Sequence, residues 1–155
     1  MAVFGHLDRA LGAVLRLACI LLLSALFLLI TENILRRGIG ISGRPWFDEV
    51  IELCFAWLVM LGAAAIWRER GHFVVDLLGS GRVSAGLRTL AALIALAVVA
   101  TLAARGYSLA VRAGATSPVL GAPRAIWYAC LPVGGGLMSV YALRDVIATL
   151  RGTAK

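Results

Sequence analysis

The run LACILLLSALFLLIT, Leu17 to Thr31, decides what kind of chain this is. It holds no charge, and Arg16 and Glu32 stand at its two ends. On its own it falls short of the roughly 20 residues that a membrane-spanning helix needs. The helix is therefore expected to extend to about 11–35, with Arg16 and Glu32 inside it and their charged heads snorkelling to the interfaces. Three more apolar stretches, at about 47–67, 83–104 and 125–143, are each long enough to span. The fold expected is an all-α integral membrane protein of four transmembrane helices, one membrane domain over residues 1–155.

Composition agrees. Apolar residues other than glycine make up 61% of the 155 residues and mean hydropathy is +0.94, against about 45–50% apolar with glycine included in a soluble domain. So small a chain has too little interior to hide that much apolar surface. The net charge of +7 would suggest nucleic acid in a soluble protein. Here the basic residues fall between the apolar runs and read as topology signals, so no nucleic-acid partner is expected.

The first apolar run follows Arg9 and Arg16, as a signal peptide would, but Thr31 to Arg37 after it offers no small-x-small cleavage site. It is read as a retained helix. The connections are short and rich in helix-stopping residues: Gly38, Gly40, Gly43 and Pro45; then Gly71, Gly79 and Gly81; then Gly114, Pro118, Gly121 and Pro123. There is no internal repeat and no matching pair of broken helices.

With four spans the termini and the middle loop share a side, which carries Arg9, Arg16, Arg68, Arg70, Arg82, Arg88, Arg144, Arg151 and Lys155. The other side carries Arg36, Arg37, Arg44, Arg105, Arg112 and Arg124. Nine against six favours both termini in the cytoplasm.

Ser42 to Glu52 is the richest segment. Most of it is accounted for as a helix start at a membrane surface: Pro45 suits a first turn, Trp46 the interfacial belt, and Asp48, Glu49 and Glu52 the positive end of the helix dipole. Glu49 and Glu52 are three apart and share a face, and Glu52 lies near or inside the hydrocarbon boundary. An acid there calls for a cationic partner, an arginine of a neighbouring helix in this chain or another, or a bound cation. Arg36, Arg37 and Arg44 are candidates on the same side.

Further along, Gly62 to Ala65 is a row of small residues that lets another helix approach, and Ala97 with Thr101 and Ala100 with Ala104 do the same in the third run. Arg68 and Arg70 complement a helix C-terminus. Pro132 followed by Gly134, Gly135 and Gly136 should kink the fourth helix or seat it tightly on another.

His6 and His72 both lie outside the spans, so a bis-histidine haem is not expected, and the ligands for a metal site are too few. Cys19, Cys54 and Cys130 fall in three different runs and read as packing residues. No nucleophile, phosphate-cradling or metalloprotease motif is present, and neither an enzymatic activity nor a cofactor is expected.

Taken in order, Arg44-x-Trp46-x-Asp48-Glu49, Trp57, Gly62-Ala63-Ala64, Arg70-Gly71-His72-Phe73-Val74-Val75-Asp76, Ser117, Pro123, Trp127 and Leu131-Pro132-Val133-Gly134 resemble the small membrane (Q) subunit of tripartite ATP-independent periplasmic (TRAP) transporters, the DctQ-like family. The resemblance covers almost the whole chain. It implies a bacterial inner-membrane uptake system in which a periplasmic binding protein delivers an organic acid to a small and a large membrane subunit. Transport in such systems is driven by an ion gradient, usually sodium, with the substrate and ion sites in the large subunit. The small subunit would be a scaffold whose contacts with the partner subunit or with membrane lipids involve Arg44, Trp46, Asp48, Glu49, Glu52, Trp57, Gly62, Arg68, Arg70, His72, Asp76, Pro132 and Gly134.

Two other classes compete. One is a self-assembling small channel or transporter with Glu52 facing an aqueous path. The other is a membrane anchor for a redox enzyme, which the scarce histidines and isolated cysteines disfavour.

Overall fold

The structure, a computed structural model, describes the backbone of residues 2–41, 44–69 and 82–151, and the side chains of these except 2–5, 7 and 82–85. Its elements are α1 (Ala2–Gly38), α2 (Phe47–Arg68), α3 (Arg82–Arg112), α4 (Ala125–Tyr128) and α5 (Cys130–Leu150). Four segments are long and apolar enough to cross a membrane, the last of them running through α4 and α5 from Ala125 to Leu150. The described residues contain no β-strand, only one isolated bridge between Thr116 and Pro123. The all-helical, four-span expectation holds.

The helices run beyond their apolar centres. α1 encloses both Arg16 and Glu32 and stops where glycine chemistry stops it. Ile41 N–H bonds to Arg36 O (2.9 Å) and Gly40 N–H to Arg37 O (3.2 Å), a Schellman closure with Gly40 at φ +74°. α3 continues past 104 to Arg112 and takes Arg105 into the helix, because nothing stops it before Gly114 and Pro118. The last span is interrupted at Ala129. Pro132, third in α5, has no N–H to offer the carbonyl of Tyr128. The regular ladder resumes with Val133 N–H on Ala129 O (3.2 Å). The expected proline effect is therefore a break one turn upstream of the ring.

The helices form an open row, not a closed bundle. Among the described residues α1 approaches only α2, α2 lies against α5, and α5 against α3, giving the order α1–α2–α5–α3. The fourth span is the hub: 39% of its apolar window is buried, against 6–11% in the other three. The core joins Met60 and Ala64 of α2, Val99 of α3, and Cys130, Met138 and Ala142 of α5.

Glycines make these approaches close. A Cβ on Gly134 would lie 2.8 Å from Met60 Cβ, and one on Gly135 would lie 3.0 Å from the main-chain nitrogen of Ala103. Successive positions of α5 thus meet α2 and α3 on two different sides. From α3, Gly106 answers with its own bare backbone, where a Cβ would fall 2.5 Å from Leu131 Cβ. Inside lipid no hydrophobic force draws helices together, so such contact by small residues is what packs them.

Candidate functional site

Polar side chains gather at the two ends of the helices, above and below the row. At one end the start of α2 meets the loop between α3 and α4. That loop closes on itself: Ser117 N–H bonds to Ala122 O (2.8 Å), Gly121 N–H to Ser117 O (3.1 Å) and Arg124 N–H to Ala115 O (3.0 Å), with Gly121 at φ +64°. The turn aims its donors at Glu49.

Glu49 is buried in the first turn of α2. Its carboxylate accepts one hydrogen bond from the Ser117 hydroxyl, one from Val119 N–H (3.1 Å) and one from Leu120 N–H (2.9 Å). The Ser117 oxygen also accepts from Leu120 N–H (3.2 Å). Above this, Trp127 Nε1–H donates to the main-chain oxygen of Glu49 (3.3 Å). A buried carboxylate is tolerated only when such bonds replace its water, and each hydrogen bond to a charged group contributes about 1.5–3 kcal/mol. With both oxygens engaged, Glu49 is an anchor for the loop.

One turn along, Glu52 takes both its carboxylate contacts from Arg124 Nη1, 3.1 Å each. The same guanidinium lies over the Trp127 ring, 5.4 Å from its centroid. Trp57 Nε1–H donates to Ile126 O (3.2 Å), a second tie between α2 and α4 after that of Trp127. Arg44 covers the Trp46 ring at 5.6 Å, Trp46 stacks on Phe47 at 4.8 Å, and Asp48 is exposed. None of Arg36, Arg37 and Arg44 meets the two glutamates: Arg36 turns instead to Glu32 in its own helix (2.8 Å). The reason is the row order, which places the α3–α4 loop over the start of α2.

At the other end, Arg68 of α2 reaches Asp8 of α1 (Nη2 to Oδ2, 2.9 Å; Nε to Oδ1, 3.2 Å; Nε to the main-chain oxygen, 3.1 Å). It passes over Gly12, where a Cβ would overlap the guanidinium. Arg16 pairs with Glu69 at 2.9 Å in the open, and Trp67 Nε1–H donates to Asp145 of α5 (3.1 Å). Gly62 has nothing within 4 Å of its missing Cβ and lines the groove between α1 and α2 with Gly12 and Cys19. Pro132 and Gly134 sit in the α5 contacts with α3 and α2. Arg70, His72 and Asp76 lie outside the described residues.

The sequence reading pointed to Glu49 and Glu52 and missed what holds them. Arg124, Asp8 and Asp145 carried no signal beyond being charges near span ends. Ser117 had one, a serine before a proline in a glycine-rich turn. No group of three or more His, Cys, Asp or Glu side chains suited to a metal occurs among the described residues.

Four membrane-length helices, with most of their charged side chains paired or gathered near the ends and an interior of small and apolar side chains, define a multi-pass helical membrane protein. Residues 26–152 match the family described as tripartite ATP-independent periplasmic transporters, DctQ component, and the chain belongs to that family. It is a transporter-component family, not an enzyme family. Comparison with curated proteins gives no significant match.

Proposed function

We propose that the chain is the small permease subunit of a TRAP-type secondary transporter, a scaffold for a larger membrane subunit that moves an organic acid along with an ion, usually sodium. A periplasmic binding protein would deliver the substrate, and the complex would sit in a bacterial inner membrane with both termini of this single membrane domain in the cytoplasm. The observation that carries the reading is the family match over residues 26–152.

The packing supports a scaffold role. Glu49 is saturated by the loop it anchors, and Glu52 is engaged by Arg124, so neither is offered to a permeating ion. That pairing also weighs against a self-assembled channel with Glu52 on an aqueous path. On this reading Trp57, Glu49, Glu52, Arg68, Pro132 and Gly134 shape the subunit from within, while Arg44, Trp46, Asp48 and Gly62 face the partner or lipid. Arg70, His72 and Asp76 would form the cytoplasmic turn.

The test is affinity purification of the tagged chain from its native membranes in mild detergent, with mass spectrometry of what accompanies it. A roughly stoichiometric large membrane protein is the expected result. A homo-oligomer with no other subunit would overturn the reading.

A further inference from the structure

α3 stands at one end of the row, against α5 and α4 only, and its other side is open. Arg105 projects from that side, exposed and with no hydrogen bond or ion pair among the described residues. Its depth sets it apart. The neighbouring Gly106 lies against Leu131, four residues past Trp127 along the fourth span. Arg105 is seven residues inside the span that ends at Arg112. The other unpaired described arginines of the spans, Arg37, Arg88 and Arg112, lie within two residues of a span end, where they reach water.

Around Arg105 the surface is low and already satisfied. Ala100, Thr101, Ala104 and Ser108 line a shallow depression with it. The Thr101 hydroxyl donates to Ala97 O (2.7 Å) and that of Ser108 to Ala104 O (3.1 Å), so the guanidinium is the group there that needs a counter-charge.

We propose that this face of α3 docks a membrane-spanning helix of the large subunit that presents a carboxylate side chain to Arg105. The inference rests on the subunit role proposed above and adds the surface and the charge that recognises it. An unpaired cation at this depth in lipid is costly and calls for an acid. Among the described residues none is to spare there: Asp8, Glu32, Glu49, Glu52, Glu69 and Asp145 are each engaged within the chain, and Asp48 lies at the outer start of α2. A second copy therefore supplies no partner among the described residues. Small side chains around the cation favour a helix over a lipid headgroup, because they let two backbones approach and a headgroup gains nothing from them.

The test uses the complex in native membranes. A photo-crosslinking p-benzoylphenylalanine replaces Ala97, at the edge of the face, and in a separate chain Phe27 of α1 as an off-face control. Arg105→Glu and Arg105→Lys are purified in parallel. The expected results are an adduct with the large subunit from position 97 and recovery of that subunit lowered about tenfold or more by Arg105→Glu but kept by Arg105→Lys. If the wild-type chain recovers the large subunit while position 97 labels only lipid or a second copy, the docking face is overturned and the subunit role stands. Recovery within about twofold of wild type for Arg105→Glu overturns it equally. If Arg105→Glu does not accumulate, the adduct from the otherwise wild-type chain decides. If the wild-type chain recovers no large subunit, both the role and the face fall.

Discussion

Glu49 at the start of α2 accepts a hydrogen bond from the hydroxyl of Ser117, 68 residues further on, and this contact joins the second span to the loop that precedes the fourth. Because the carboxylate also collects Val119 and Leu120 N–H, one side chain orders the whole turn.

Glu49→Gln should therefore destabilise the fold well beyond its small change in shape. The amide keeps one acceptor oxygen and sets its NH2 against N–H donors, leaving buried groups unsatisfied at about 1–3 kcal/mol. Ser117→Ala should cost less, because the two main-chain donors remain. Unfolding midpoints of the two variants and their double mutant in detergent check this: the combined loss should fall short of the sum, as expected for partners in one network.

At the neighbouring pair the two partners should be unequal. Glu52→Gln loses an exposed ion pair and is expected to change stability by no more than about 1 kcal/mol. Arg124→Ala additionally uncovers the Trp127 ring and should cost more. Tryptophan emission during unfolding reads out both, and an equal effect of the two variants would count against the role given to Arg124.

The glycines of α5 should divide by what faces them. Gly134→Ala and Gly135→Ala drive a methyl into Met60 and into the backbone of Ala103, and overpacking of this kind costs about 1–3 kcal/mol. Gly136 has nothing within 4 Å of its missing Cβ, so Gly136→Ala should be neutral or raise stability by about 0.5–1 kcal/mol through helix propensity. Thermal unfolding of the three variants side by side is the measurement.

At the opposite end Gly12→Ala should act like Arg68→Gln. The added methyl would overlap the guanidinium and push Arg68 off Asp8. In both variants amide hydrogen exchange should quicken in the first turns of α1 and stay slow near Leu15 and Leu26, which are buried by apolar packing.

Much of this molecule was legible in its sequence. Four apolar runs gave four helices because in lipid every backbone group must be bonded within its own segment, which makes span existence a local property. Gly38 to Pro45 marked the first helix end, and Pro132 marked the disturbed span. Span ends were less legible: α3 carries Arg105 and Arg112 in helix where a hydropathy reading stops at 104.

Glu49 and Glu52 stood out as acids at a membrane boundary, a matter of residue type and position alone. Their partners did not, since Ser117 and Arg124 come from a turn whose placement depends on α5 lying between α2 and α3. Apolar periodicity reports which face of a helix is greasy, and in a membrane all faces are. Which helix sits beside which was decided by the bare backbones of Gly106, Gly134 and Gly135, where close contact is a property of two segments together.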